Sequence, residues 1–420
     1  VKIDLYLDHN PLLVGTLFFE VKGNREVLSF QYSERWLADK DAFSIDPALP
    51  LHPGPTFKSR VGNSNSSLFF GAIADTEPDG WGRKVILRSW AKEKDKKKAK
   101  SPTNLGDALN SMDFLLLVDD FSRIGALRYR IDNGPFIRTF NAEENPVPPL
   151  IKLQQLFQAT EAFERNDESA KDLKFLIGQG TSLGGVRPKC SIIEEDGSLS
   201  IAKFPSISDD RAVTKGEVLA LQLAKRAGIR VAESRIVFTG NDVPVAVIKR
   251  FDRIGDSRKM YVSAATLLEL ENASEGVHSY TEIVEGIRKH GGDKAGQDIE
   301  ELWRRLIFNI LINNIDDHLK NHGFLWSHRE HWRLSPAFDL NPFPGKAREL
   351  KTWITEDSGP EASISIALAN AQYFGLTNTK AKKIITEVKD AVKKWRDLAR
   401  HIGMTKLEID QFPEAFEYKE

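Results

Sequence analysis

Residues 299–339 read IEELWRRLIFNILINNIDDHLKNHGFLWSHREHWRLSPAFD. Apolar residues stand at Ile299, Leu302, Trp303, Leu306, Ile307, Ile310 and Leu311. That i, i+3, i+4, i+7 rhythm predicts an amphipathic helix with one stripe pressed on a core. The pattern then breaks into NNIDDHLKNHG, a polar run directly after the helix. A short apolar run (Phe324 to Trp326), a polar turn (328–331) and a second run (Trp332 to Leu334) predict a hairpin. The hairpin returns SPAFD to the place where the polar loop began. Asp316, Asn321 and Asp339 are therefore expected to converge on rigid supports.

Those residue types suit one reaction. Phosphoryl transfer asks the protein for metal ions on the phosphates and a carboxylate that orients the acceptor hydroxyl. Mg²⁺ prefers oxygen ligands, usually one or two carboxylates together with substrate phosphates. Asp316 followed five positions later by Asn321 reproduces the offset of a protein-kinase catalytic loop. Asp339, after the hairpin, takes the place of the metal-binding Asp. His318, His322, His328 and His331 could be imagined as a metal set with Asp, but the carboxylates and amide already account for the loop as a Mg²⁺ site.

Upstream, GQGTSLGG (178–185) is read as a glycine-rich loop whose backbone can approach phosphates closely. Asp196–Gly197 is a two-residue hairpin signal between strands Cys190–Ile193 and Leu199–Phe204. The glycines lie beside a strand pair and do not open a helix, which disfavours a dinucleotide-binding reading. Lys203 on the second strand is placed to reach ATP phosphates. Residues 214–228 predict a helix with Thr214 as N-cap and Gly228 past its end. Glu217 on it either pairs with Lys203 or is an ordinary first-turn acid. Strands Ser234–Phe238 and Val243–Arg250 follow. The backbone from Lys249 to Phe251 then falls where a hinge would meet adenine.

The N-terminal part reads differently. Residues 1–50 alternate apolar and polar (Ile3, Leu5, Leu7; Leu17, Phe19, Val21; Leu28, Phe30, Tyr32), as small antiparallel strands do. Residues 48–68 are rich in Pro, Gly, Ser and Asn and read as a loop. GWGRKVILRSWAKEKDKKKAK (80–100) starts a helix and ends in a charged run with six lysines from Lys92 to Lys100, a solvated helix end or loop. NAEENPVPPL (141–150) marks a domain boundary. The expected division is 1–145, a small α/β subdomain; 146–252, a small lobe with the phosphate loop; and 253–420, a mostly helical large lobe.

Composition narrows the partners. Fifty-nine Lys+Arg against 60 Asp+Glu give a net charge of −1, which argues against nucleic acid as the main partner. One cysteine, Cys190, fits a reducing compartment. No leader-like start and no long apolar stretch are seen, so no membrane partner and a cytoplasmic location are expected.

Four stretches carry a resemblance. NNIDDHLKNHGFL and LSPAFDLNP resemble the catalytic and metal-binding segments of the HipA family of Ser/Thr kinase toxins. TSLGGVRPK (181–189) resembles that family's phosphate loop, and DTEPDGWGR (75–83) a motif of its N-terminal subdomain. The resemblance implies an α+β, bilobal protein-kinase-like fold and ATP and Mg²⁺ as cofactors. It implies Asp316 as catalytic residue and Asn321 and Asp339 on the metal. ATP contacts fall on Lys203, Gly180, Thr181, Ser182, Leu183, Gly184, Gly185, Val186, Lys249, Phe251, His318 and Lys320. Ser182 is implied as the autophosphorylated, self-inactivating serine, with Thr181 as the alternative. The implied partners are a HipB-like DNA-binding antitoxin, DNA only through that antitoxin, and an aminoacyl-tRNA synthetase as protein substrate. Two departures stand out: Lys249 where a hinge Glu is found, and Asp317 where a small residue often follows the catalytic Asp. A small-molecule phosphotransferase and a mainly non-catalytic, antitoxin-binding corepressor remain as alternatives.

Overall fold

The computed structural model describes the chain except for Pro11, 62–66, Asp79, 101–107, Asn133, 138–151, 181–184, Asn241, 328–330 and Glu420. For 95–100, Lys174 and 177–180 it describes the backbone alone. The boundary expected at 141–150 lies outside the described residues. Two compact units emerge. One is Val1–Ser208 with Thr239–Asp242 and Asp252–Tyr261; the other is Asp209–Phe238 with Val243–Phe251 and Val262–Glu420.

The first unit begins with β1 (Lys2–Leu7), β2 (Leu13–Lys22) and β3 (Arg25–Tyr32), followed by the short helix α1 (Glu34–Leu37). With β4 (Thr56–Val61) and β5 (Leu127–Arg130) the strands form one antiparallel sheet, in the order β4-β3-β2-β1-β5. Alternation explains it: Ile3, Leu5, Leu17, Leu28 and Phe30 are buried on one face. The segment 48–68 is not all loop, because TFKSRV alternates in exposure and pairs with β3 as an edge strand. Its Pro and Gly residues flank the strand without interrupting it.

Helices α2 (Gly71–Ala74), α3 (Gly80–Lys100) and α4 (Ser111–Leu116) come between β4 and β5. Helices α5 (Leu153–Glu164) and α6 (Ala170–Gly180) pack with α3. Trp81 and Val85 of α3 sit in one core with Ala159, Phe163, Leu173 and Leu176. The lysine run starts in an ion pair, since Lys92 meets the buried Glu168 carboxylate at 2.8 Å and Arg88 reaches the same group. The glycine-rich segment opens later than its pattern suggests, because Gly178–Gly180 still belong to α6. Strands β6 (Lys189–Ile193) and β7 (Leu199–Lys203) form the expected hairpin around Gly197, which has φ +79°.

In the second unit α7 (Val213–Arg226) is capped at Ala212, not Thr214, which is buried inside the helix. No side-chain cap is present; the Gln411 side-chain oxygen accepts the Ala212 N–H at 3.0 Å. Strands β8 (Ser234–Phe238) and β9 (Pro244–Lys249) pair antiparallel. In the first unit β10 (Arg253–Ile254) and β11 (Ser257–Arg258) form a small hairpin. It is fastened by Arg258 to Asp120 at 2.9 Å. The chain continues through β12 (Tyr261–Ser263) to α8 (Ala264–Leu267), β13 (His278–Ser279), α9 (Tyr280–His290) and α10 (Ala295–Ile312). The hairpin β14 (Gly323–Ser327) and β15 (His331–Leu334) precedes β16 (Thr352–Trp353), which pairs parallel with β13. Helices including α11 (Ile364–Ala369), α12 (Asn378–Val392) and α13 (Trp395–His401) complete the unit. Among the described residues no helix is long and apolar enough to cross a membrane.

Helix α10 is the axis of this unit. Its predicted stripe is buried, but so is every residue from Arg305 to Ile312. An amphipathic pattern thus ends as a helix enclosed on all sides. Asp298 in its first turn ties the hairpin to it. One carboxylate oxygen accepts Arg333 Nε at 2.6 Å and the Leu334 N–H at 3.0 Å. The other accepts Arg333 and Arg230 at 3.0 and 3.1 Å. Replacing Asp298 with Ala orphans these donors, so we expect a loss of about 3 kcal/mol. Chemical denaturation of the full chain measures this; a change below about 1 kcal/mol would show that water replaces the carboxylate at no cost.

Candidate functional site

The loop after α10 owes its shape to two asparagines. Asn313 ends the helix in the left-handed region, φ 52° and ψ 48°, which Asn tolerates well. Its side-chain amide donates to the carbonyls of Phe343 (2.8 Å), Gly345 (3.1 Å) and Ala347 (3.3 Å). Downstream, the Asp316 carbonyl accepts the His318 N–H at 3.0 Å and the Asn321 side-chain amide at 2.9 Å. That second bond closes the five-residue turn and explains the spacing. With its nitrogen engaged there, the amide oxygen of Asn321 is the atom left to accept a cation.

Asp339 stands on the segment after the hairpin. The hairpin leads into Ala337, whose N–H donates to Arg230 O at 2.7 Å and whose carbonyl accepts the Ala232 N–H at 2.9 Å. Asp339 follows with φ 56°, and Asn341 donates to its backbone and side-chain oxygens. His318 feels both acids. Burial pushes its imidazole below the ordinary 6.5; Asp316 opposes this, Lys351 lowers it further, and Asp339 and Asp317 raise it. The imidazole therefore lies within electrostatic reach of both Asp316 and Asp339.

An amide oxygen such as that of Asn321 and carboxylates such as those of Asp316 and Asp339 are the ligand types a hard cation such as Mg²⁺ takes. Among the described residues no group of three or more His, Cys, Asp or Glu is arranged to hold a metal ion. His328 lies outside the described residues.

Asp316 is exposed and pairs with Lys351 Nζ at 3.1 Å. Lys320 is exposed as well. Asp317, one of the two departures from the family pattern, is buried. Phe251 packs on Phe338, the residue before Asp339, with ring centroids 5.5 Å apart. The Lys249 N–H donates to Glu233 O at 2.8 Å, so that amide is committed within the protein.

The remaining candidates belong to the first unit. Lys203 is the last residue of β7 and lies opposite Lys189 of β6. Gly180 ends α6, while Thr181, Ser182, Leu183 and Gly184 lie outside the described residues. Gly185 has φ +95°, and a Cβ there would come 2.8 Å from the Lys189 ammonium. Its carbonyl accepts the Trp81 N–H at 3.2 Å, and a Cβ on Gly80 would strike Val186. Gly80 and Trp81 of one sequence motif therefore meet Gly185 and Val186 of another. Lys189 and Lys351 were not singled out from the sequence. Lys189 closes the TSLGGVRPK motif and was within reach of that reading, whereas nothing in the sequence pattern around Lys351 marks it.

A histidine held below its ordinary value binds fewer protons folded than unfolded, so its contribution to stability weakens as pH falls below about 6.5. We expect the wild type to lose thermal stability more steeply than His318→Gln between pH 7 and 5. Parallel melting curves across that range would show that His318 is not held neutral.

Comparison with known proteins places the fold. Residues 181–395 match the family model described as the HipA-like C-terminal domain. A Haemophilus influenzae protein named "Putative kinase" is 29% identical over 188 residues, which is 40% of this chain and 54% of that protein. The Sinorhizobium fredii protein "Putative kinase Y4mE" is 23% identical over 414 residues, covering 89% of this chain and 90% of its own length. The solved complex of Shewanella oneidensis HipA, HipB and operator DNA contains a chain of the same fold. Its TM-score is 0.68 at 16% identity, over 99% of this chain and 95% of that one. The fold is thus α+β and protein-kinase-like. With just over half of its length inside the family model, the chain belongs to the HipA-like family.

Proposed function

We propose that this HipA-like protein is an ATP- and Mg²⁺-dependent serine/threonine kinase acting as the toxin of a toxin–antitoxin pair. The observation that carries this reading is the closed turn in which Asn321 holds the Asp316 carbonyl, with His318 bridging electrostatically toward Asp339. Asp316, exposed at the turn, orients the acceptor hydroxyl and takes up its proton. Asn321 and Asp339 hold Mg²⁺, which when bound neutralises charge on the phosphates. Lys203, with the 180–186 loop, binds the phosphates, and His318 and Lys320 line the nucleotide. Lys249 to Phe251 receive the base through backbone groups other than the Lys249 N–H. The same reading divides the chain near 145 and 252.

The partner and substrate rest on likeness. The Shewanella neighbour was solved with HipB and operator DNA, which supports a HipB-like antitoxin here. An aminoacyl-tRNA synthetase as acceptor follows the family resemblance. Ser182 as the self-modified residue agrees with electrostatics, because a phosphate dianion in that loop repels the phosphates of ATP.

Intact-protein mass measurement after incubation with Mg·ATP tests the core of this. We expect one added phosphate on the wild type and none on Ser182→Ala. The rate on Asp316→Gln is expected to fall at least about a hundredfold. Phosphate on Ser182→Ala moves the regulatory site and keeps the kinase. A wild type that starts unmodified, binds ATP and gains nothing, on itself or on purified aminoacyl-tRNA synthetases, would refute the kinase reading.

A further inference from the structure

Adjacent residues of the catalytic turn face opposite ways. The Asp316 side chain is 65% exposed and that of Asp317 only 4%. The Asp317 carboxylate is gripped from several sides. Its Oδ2 accepts the Tyr280 hydroxyl and lies 3.1 Å from His322 Nε2. Tyr280 opens α9 and is itself held, because Asn309 of α10 donates to its oxygen at 2.9 Å. Asn314 donates in turn to Asn309 at 3.2 Å. The Asp317 backbone carbonyl accepts the Thr352 hydroxyl of β16 at 2.7 Å. The His322 carbonyl accepts the Ala264 N–H at 2.7 Å, and its ring meets Tyr280 edge-on at 5.4 Å.

Such a network is a poor way to gain stability. Burying a carboxylate is costly, and an apolar group of similar size usually serves a core as well or better. What hydrogen bonds add is direction: a carboxylate held by an O–H from one helix and an imidazole within its own loop fixes one orientation of the peptide. Burial alone would push the Asp317 carboxyl up, yet His322 and the hydrogen bonds bring it below its ordinary range, so it stays charged.

We propose that Asp317, held by Tyr280 and His322, is the positioning residue of the catalytic turn, aiming Asp316 at the acceptor hydroxyl through the peptide they share. This rests on the kinase reading, and it adds Tyr280 and His322 to the residues that set the rate. Tyr280→Phe is the mildest probe, since it removes one hydroxyl and keeps the ring in its pocket; Asp317→Asn is the companion.

The test is initial-rate phosphoryl transfer from γ-labelled Mg·ATP to myelin basic protein as a generic acceptor, with melting temperatures and amide hydrogen exchange across 313–322. For Tyr280→Phe we expect kcat to fall about tenfold to a hundredfold, KM for ATP to stay within about twofold, and exchange in the turn to rise while the core keeps its protection. A merely structural hydroxyl would instead lower the melting temperature and leave kcat at lower temperature unchanged, and that result overturns the proposal. So does unchanged exchange in the turn. If Asp317→Asn fails to fold, Tyr280→Phe decides alone. A wild type that transfers no phosphate to the generic acceptor, to purified aminoacyl-tRNA synthetases or to itself removes the kinase reading. The exchange comparison then still judges whether Tyr280 and Asp317 hold the turn.

Discussion

A helix buried on every side cannot leave its last carbonyls bare, and α10 is buried in this way through its final turns. Water cannot reach those groups, so the protein supplies donors. The Asn314 N–H reaches Asn309 O at 2.9 Å, the Asn313 N–H reaches Ile310 O at 3.3 Å, and Arg348 donates to Ile310 O at 3.1 Å. The polar residues that begin the candidate site are therefore also the cap of the central helix. Stability and chemistry share one junction. A change made there for either purpose alters the other.

That junction explains how far the sequence was readable. The apolar period of 299–311 announced the helix, and the loss of period announced the loop. The D-to-N spacing was read as a catalytic-loop offset, and the turn that underlies it, closed by the Asn321 amide on the Asp316 carbonyl, came only with the structure. The strands of 1–50 were legible from alternation, and the Asp196–Gly197 hairpin from its turn residues. The β4 strand was hidden because Pro and Gly crowd its start and Gly, Asn and Ser follow its end, and composition outweighed a six-residue alternation. The cap of α7 was misread because Thr214 looks like a cap, whereas the side chain that serves the helix start is Gln411, far along the chain. Long-range donors of this kind leave no local mark.

The same limit hid the support of Asp317. Nothing near 316–322 points to Tyr280 or Thr352. Both arrive through the parallel pairing of β13 with β16, which brings His278 opposite Thr352. Period and spacing report on a chain's neighbours in sequence. The residues that orient a site are often neighbours only in space.

The Phe251–Phe338 contact, two rings tilted by 40°, bears on how such proteins are recombined. One ring belongs to the segment expected to meet the base, and the other precedes the acid expected to meet the metal. The two segments come from different stretches of the chain but pack ring on ring. A chimaera that imports the 249–251 segment from a relative with a small residue at 251 therefore removes the ring that Phe338 packs against, next to Asp339 in the chain. The two segments are transplanted intact only as a pair.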